Sequence, residues 1–426
     1  MVALLFVVFF GLMFLGVAIA ASMGLGVFAN AYFGNVVTLG FVGRGIIAAL
    51  DSFPVLAVPI FIFAGEVMAK GGISKRLFNF ANACLGGFTG GVPMATIFTC
   101  MLFSSISGSG SATFAAVGAI MIPIMAKQGY NPRFIAALTA SAGGLGILIP
   151  PSLPMVIYGL SSGTSIGELF MAGLFPGILH GIALMVFAYF YSKKHPVKID
   201  ETIEPRMKVL PSLVQGFWAL LCPFIILGGI YGGIFTPTEA AGVAALYGLI
   251  VSIFIYKTLT WKEIPGILLR SARLNAPVLL IVAVATVFGR VLTIQNIPSM
   301  LTSFVLGYTE NKILLLIFFN VIFLVVGMFM EPLAGIVIIS PILLPIALSI
   351  GLDPLHFGTI MVANLGIGFV TPPVGVNLFL AAGISWIPIK DLFKAAVGPI
   401  CALLIVQIFI TAIPALSTFL PSLMSK

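Results

Sequence analysis

Two stretches of this chain interrupt apolar sequence where a membrane-embedded protein tolerates interruption least, and they do so in the same way. The first, residues 103–151, reads FSSISGSGSATFAAVGAIMIPIMAKQGYNPRFIAALTASAGGLGILIPP. An apolar run enters it and collapses into Ser104, Ser105, Ser107, Gly108, Ser109, Gly110 and Ser111. A second break follows at Gly143, Gly144 and Gly146, closed by Pro150 and Pro151. A spanning helix needs about 20 apolar residues, and neither run beside the serines clearly reaches that length. Two short helices meeting at a Gly/Ser tip make a re-entrant hairpin. Broken backbone at membrane depth is tolerated only where protein buries it or where it lines a cavity. The stretch therefore reads as a binding site.

The second stretch repeats the first at a fixed distance. Pro345 lies 222 residues after Pro123, and at that offset Gly129 meets Gly351, Pro132 meets Pro354, Gly144 meets Gly366 and Gly146 meets Gly368. Pro150 and Pro151 meet Pro372 and Pro373 without a gap, and the serine tip falls opposite Met330, Glu331, Pro332, Leu333, Ala334 and Gly335. Matched Gly/Pro interruptions in two halves point to the substrate site of a secondary transporter. The expected fold is an all-α polytopic membrane protein of two repeats. Residues 1–192 form the first, with a hairpin at about 88–127 and a broken helix at about 132–162. Residues 193–210 form a polar linker. Residues 211–426 form the second repeat, with a hairpin at about 312–350 and a broken helix at about 354–382.

Composition agrees: 60% of residues are hydrophobic, 8% are charged and the mean hydropathy is +1.22, too little charge to cover a soluble surface. The net charge of +8 does not argue for nucleic acid, because the bases lie between apolar segments and no basic patch carries interleaved aromatics. Residues 2–31 read as one tilted first span. Residues 36–49, 71–85 and 261–273 read as interfacial, and further spans are expected near 53–69, 167–191, 213–235, 239–256, 277–292 and 392–419.

Lysine and arginine concentrate in cytoplasmic loops. Lys193, Lys194, Lys198, Arg206 and Lys208 place the linker inside, and Lys257, Lys262, Arg270 and Arg273 follow two spans later. Counting back puts Lys75, Arg76, Lys127 and Arg133 inside as well. The first hairpin then enters from the cytoplasm and the second from outside, so the repeats are inverted in topology.

At a helix break, free N–H groups carry partial positive charge and free carbonyls partial negative charge. Anionic substrates suit the former and Na⁺ the latter. The candidate Na⁺ ligands are Ser104, Ser105, Ser109, Gly143 and Gly146 in the first half. In the second half they are Glu331, Pro332, Asn364, Gly366, Gly368 and Thr371. Candidate substrate contacts are Ser107, Gly108, Ser109, Gly110, Pro150, Pro151, Pro372, Pro373 and Asn377. The bland alternative is that these small residues only permit close helix packing. Glu331 is open between ligating Na⁺, capping the following helix and carrying a proton. Glu66 and Arg290 end comparable apolar runs, and either pair with one another, meet helix ends or snorkel to the interface. Glu239, after Thr236, fits a capping acid. Cys84, Cys100, Cys222 and Cys401 are scattered and read as packing residues, and three histidines form no cluster. No nucleotide-binding Gly-rich loop with a lysine and no catalytic constellation occurs, so no enzyme activity is expected.

Five segments carry a family resemblance: PIFIFAGEVMAKGGIS (59–74), FSSISGSGSATFAAVGAIMIP (103–123), GGLGILIPPSLPMVIYG (143–159), TPTEAAGVAALYG (236–248) and GIGFVTPPVGVNLF (366–379). With them the chain resembles, over essentially its whole length, the large membrane subunit of tripartite ATP-independent periplasmic (TRAP) transporters. The resemblance implies a Na⁺-driven importer of organic acids in the bacterial inner membrane, fed by a periplasmic substrate-binding protein. It also implies a small membrane subunit, expected as a separate chain because this one starts directly at a long helix. An elevator movement is implied too, with hairpins and broken helices as the moving block. Many hydroxyls and no buried arginine at the tips favour one carboxylate plus a polyol, as in sialic acid. The alternative is a stand-alone Na⁺/carboxylate symporter of related build that needs no binding protein.

Overall fold

The structure, a computed structural model, describes residues 2–34, 37–197 and 206–424. Val36 of the expected interfacial segment, and Lys198 with residues 199–205 of the expected linker, lie outside the described residues. Within them the chain is helical throughout, with nine helices long and apolar enough to cross a membrane.

The expected single first span is two helices, α1 (Val2–Phe14) and α2 (Ile19–Gly34). Between them Gly16 takes φ +83°, a left-handed turn that glycine adopts without a Cβ penalty. The two pack closely enough that a Cβ on Gly26 would lie 3.1 Å from the Leu5 carbonyl. Next come α3 (Leu39–Leu50), capped by Thr38, whose Oγ1 accepts from the Phe41 amide at 3.2 Å, and α4 (Ala57–Lys70). The amphipathic α5 (Ile73–Leu85) buries Ile73, Leu77, Phe78 and Ala81. Two helices then form the first hairpin, α6 (Gly91–Ser107) and α7 (Gly110–Lys127). A broken helix follows as α8 (Pro132–Gly143), a 3₁₀ turn at Gly144–Ile147 and α9 (Leu153–Ser162). The long α10 (Ile166–Lys194) completes this half.

The second half begins with α11 (Val209–Tyr231) and α12 (Pro237–Ile250). Glu239 has the capping role expected of it: its Oε2 accepts from the Thr236 amide at 2.8 Å, and the Glu239 amide donates to Thr236 Oγ1 at 3.3 Å. The expected interfacial segment and the span after it are one helix, α13 (Ile264–Ile294), running unbroken through Pro277. The sequence offered no separate element for α14 (Ile297–Tyr308). The second hairpin is α15 (Lys312–Phe329) and α16 (Pro332–Ser349), and the second broken helix is α17 (Pro354–Gly368) and α18 (Val376–Ser385). The expected last span is shorter, α19 (Ile389–Ala412), with a turn into α20 (Ala415–Met424).

The halves match element by element. The second hairpin helices start at 110 and 332, and the broken helices at 132 and 354, a difference of 222 each time. Pro150–Pro151 and Pro372–Pro373, at the same offset, are both cis.

Helix α19 shows that they run in opposite senses. Its first turn meets the start of α8 through Arg133–Asp391 at 3.0 Å. Its last turn meets the start of α17, where the Thr411 carbonyl lies 3.3 Å from His356 Nε2. Twenty-four residues of helix separate these ends by about 36 Å, so the two broken helices start at opposite faces. Contacts among the basic loops agree with the charge reading. Thr258 Oγ1 donates to the Gly71 carbonyl at 2.7 Å, Arg206 donates to the Ala83 carbonyl at 3.0 Å, and Arg270 pairs with Glu66 at 3.7 Å.

Candidate functional site

The two breaks meet each other. A Cβ on Gly144 would stand 3.3 Å from the Gly366 carbonyl, and one on Gly366 would stand 2.8 Å from Ile147 Cδ1. The second half of each broken helix crosses to the other repeat. Asn377 on α18 donates to the Ala140 carbonyl of α8 at 3.1 Å. Tyr158 on α9 donates to the Pro354 carbonyl of α17 at 2.8 Å, and Ser161 donates to Ser340 of α16 at 3.0 Å. The repeats are interlocked through their breaks.

At the first tip, α6 ends at Gly108 in the left-handed region (φ +64°) and Ser109 caps α7, its Oγ accepting from the Ala112 amide at 3.4 Å. The Gly108 carbonyl accepts from the Leu153 amide at 3.0 Å, which ties the tip to the start of α9. Ser107 Oγ lies 2.7 Å from Thr113 Oγ1. Gly143 and Gly146 must be glycine here. A Cβ on Gly146 would come 2.5 Å from the Ser109 carbonyl and 2.7 Å from Thr113 Oγ1, and one on Gly143 would come 2.5 Å from Phe114 Cβ. Tip and break thus enclose a nest of uncharged oxygens from Ser107, Ser109, Thr113 and neighbouring carbonyls. Ser104 and Ser105 are turned into their own helix, donating to the Cys100 carbonyl at 2.6 Å and the Leu102 carbonyl at 2.7 Å. Ser152, beside the cis prolines, caps α9 and donates to the Ile147 carbonyl.

The second tip is built differently. Gly327 of α15 presses on α17: a Cβ on Gly368 would come 2.4 Å from the Gly327 carbonyl carbon. Glu331 occupies the cap position of α16 without a side-chain hydrogen bond, so the capping role left open for it is not realised. Thr371 Oγ1 donates to the Ile367 carbonyl at 2.7 Å. Asn364 sits apart from the tip, its amide donating to Asn320 Oδ1 at 2.8 Å. Asn377 Oδ1 is buried without a partner beside α8. Among the described residues no three His, Cys, Asp or Glu side chains gather as a metal-binding group. Cations at either tip would meet hydroxyls and carbonyls, hard donors that suit Na⁺.

Two cavities lie along the groove between α9 and α16. A small one, about 20 Å³, brings both tips together: Gly108 to Ser111, Ile147, Leu153, Glu331, Pro332 and Phe369 line it. One helical turn further along is a larger cavity of about 480 Å³, lined by Ile157, Ser161, Thr286, Arg290, Thr293 and Val337 among others. Only the second has room for an organic acid. Arg290 faces it, while Glu66 is engaged by Arg270, so the two do not pair as one sequence reading had it. The sequence reading also passed over Gly327, Asn320 and Gln407. A lone glycine or carboxamide inside an apolar run was the available signal.

A family model described as "Tripartite ATP-independent periplasmic transporter, DctM component" matches residues 6–416. The isethionate TRAP transporter permease protein DctMQ of Oleidesulfovibrio alaskensis is 47% identical over 405 residues, covering 95% of this chain; the chain spans 64% of that relative's length. The C4-dicarboxylate TRAP transporter large permease protein DctM of Pseudomonas aeruginosa is 43% identical over 372 residues, 87% of each chain. The sialic acid TRAP transporter large permease protein SiaM of Vibrio cholerae is 38% identical over 413 residues, 97% of this chain and 96% of its own. These relatives are named as permeases, not enzymes. Among solved structures, the YdaH transporter of Alcanivorax borkumensis aligns with a TM-score of 0.67 at 12% identity, covering 88% of both chains, a likeness of fold.

Proposed function

The chain belongs to the DctM-component family of tripartite ATP-independent periplasmic transporters, and from that premise we propose that it is the large permease of a Na⁺-coupled importer of an organic acid. The observation that carries the reading is the meeting of two oppositely directed helix breaks, Gly144 against Gly366, each beside a hairpin tip. Backbone left unpaired at such breaks supplies N–H groups for a carboxylate and carbonyls for Na⁺. The first Na⁺ site draws on Ser104, Ser105, Ser109, Gly143 and Gly146. The second draws on Glu331, Pro332, Asn364, Gly366, Gly368 and Thr371.

The acid enters by the Arg290 cavity and moves one turn along the α9/α16 groove. It comes to rest on Ser107 to Gly110, the paired prolines 150–151 and 372–373, and Asn377. Hairpins and broken helices move as one block, because the interlocked breaks stay satisfied only if carried together. A periplasmic binding protein delivers the acid, and a small permease subunit enlarges the fixed part in the bacterial inner membrane. The named relatives span isethionate, C4-dicarboxylate and sialic acid. The hydroxyl-rich first tip favours sialic acid for this chain.

Uptake of labelled sialic acid into proteoliposomes holding this chain and its small subunit, with and without the binding protein, tests the reading. Uptake that needs the binding protein is expected. Equal uptake without it would instead support a stand-alone Na⁺/carboxylate symporter. For the movement, a cysteine at Ser107 is expected to change its side of access between states while one at Ala245 on α12 does not; fixed access at both would defeat the moving block.

A further inference from the structure

Helices α15, α17 and α19 leave between them an open cleft of about 720 Å³ that the transport reading does not use. Its walls are Ile313, Leu316, Ile317, Val321, Leu324, Leu404 and Ile408, and its polar strip is Asn320, Asn364, Gln407 and Thr411. Asn320 Oδ1 accepts from Asn364 at 2.8 Å, from Thr411 at 3.0 Å and from Gln407 at 3.1 Å, so its acceptor capacity is full. Gln407 is only 3% exposed, and its Oε1 has no hydrogen-bond partner. A buried amide oxygen left unpaired costs on the order of 1–3 kcal/mol, so the site is short of one donor.

The rim indicates what supplies it. Ile313, Ile317, Val321 and Ile408 are exposed. Helix α15, with a mean hydropathy of 2.6 and 22% of its span buried, is the most apolar and least covered of the nine candidate spans. In a membrane this surface meets lipid. Polarity along the cleft is also graded. Thr411 and Gln407 lie in the last turns of α19, Ile313 lies in the first turn of α15, and Leu324 and Leu404 lie deeper along the same helices. Polar at the interface and apolar below is the layout of an amphiphile inserted from the bilayer surface.

We propose that the cleft is a binding site for a bilayer phospholipid with an N–H-donating headgroup, phosphatidylethanolamine, its acyl chain between α15 and α19 and its ammonium donating to Gln407. Because the polar strip joins the second hairpin to α17 and α19, a lipid seated there braces that hairpin. The site does not depend on which acid is carried.

The full chain, purified from membranes with its small subunit and exchanged into vesicles of equal phosphatidylethanolamine and phosphatidylcholine, is read by native mass spectrometry after detergent washing. Wild type is expected to retain phosphatidylethanolamine about tenfold over phosphatidylcholine, whose headgroup has no N–H; a charge-assisted hydrogen bond is worth that much. Gln407→Leu is expected to bind both lipids equally, and Val321→Trp, which fills the cleft from an exposed wall, to retain neither. No headgroup preference in wild type, or undiminished retention in Val321→Trp, would overturn the proposal. So would a photo-cross-linker at Val321 that captures the small subunit instead of lipid.

Discussion

The two hairpin-and-break regions share a backbone and differ in chemistry. Both have a hairpin helix starting 22 residues before the broken helix, from 110 to 132 and from 332 to 354, and both close on a cis Pro–Pro. The first fills its tip with hydroxyls, Ser107 Oγ against Thr113 Oγ1 at 2.7 Å and Ser109 as cap. The second has glycine against glycine, Gly327 on Gly368, and one uncapped acid, Glu331. Backbone geometry is therefore what both gates require, while side-chain oxygens are concentrated where an ion is to be held by uncharged ligands.

The largest effect is expected where both regions rely on a missing Cβ. Gly146→Ala and Gly368→Ala each drive a methyl to within 2.5 Å of backbone, and overpacking of this kind costs about 1–3 kcal/mol. Uptake per folded protein should fall by roughly tenfold or more in both, whereas Gly383→Ala, with nothing within 4 Å, should be silent. Normal uptake by either tight variant would show that the close approach is dispensable.

Next in size is the hydroxyl asymmetry. Ser109→Ala should weaken Na⁺ activation by about ten- to hundredfold, the loss of ~1.5–3 kcal/mol expected for a charge-assisted contact. Thr371→Val should weaken it only a few-fold, because at the second break carbonyls outnumber side-chain ligands, and Cys100→Ala should change nothing. Na⁺ activation curves of uptake make the comparison, and equal shifts at Ser109 and Thr371 would erase the difference between the regions. Smallest is Glu331→Gln. It removes the charge but leaves an oxygen, so Na⁺ affinity should drop modestly and the pH profile of uptake should stay as in wild type. A profile flattened by this change would make Glu331 a proton carrier.

Much of this was legible in the chain. Gly and Pro mark breaks because one tolerates unusual φ and the other lacks a donor, so both hairpins and both broken helices were readable from their spacing. Helix ends inside apolar sequence were harder. Gly16 turns the chain between α1 and α2 in a stretch uniformly apolar enough to read as one span, and Pro277 fails to interrupt α13. Glu66 and Arg290 looked like counterparts, but partner choice depends on the packing of α4 against α13, which brings Arg270 to Glu66 at 3.7 Å. The oxygen nest around Gly146 needed the third dimension, since Ser104 and Ser105 look equivalent to Ser107 in sequence yet bond back into their own helix.

The most direct test of Na⁺ coupling is acid uptake by proteoliposomes in Na⁺-free buffer under an imposed pH gradient, binding protein present, against the same vesicles given an inward Na⁺ gradient. Coupling through uncharged oxygens predicts uptake only with Na⁺. Uptake sustained by the pH gradient alone would contradict it.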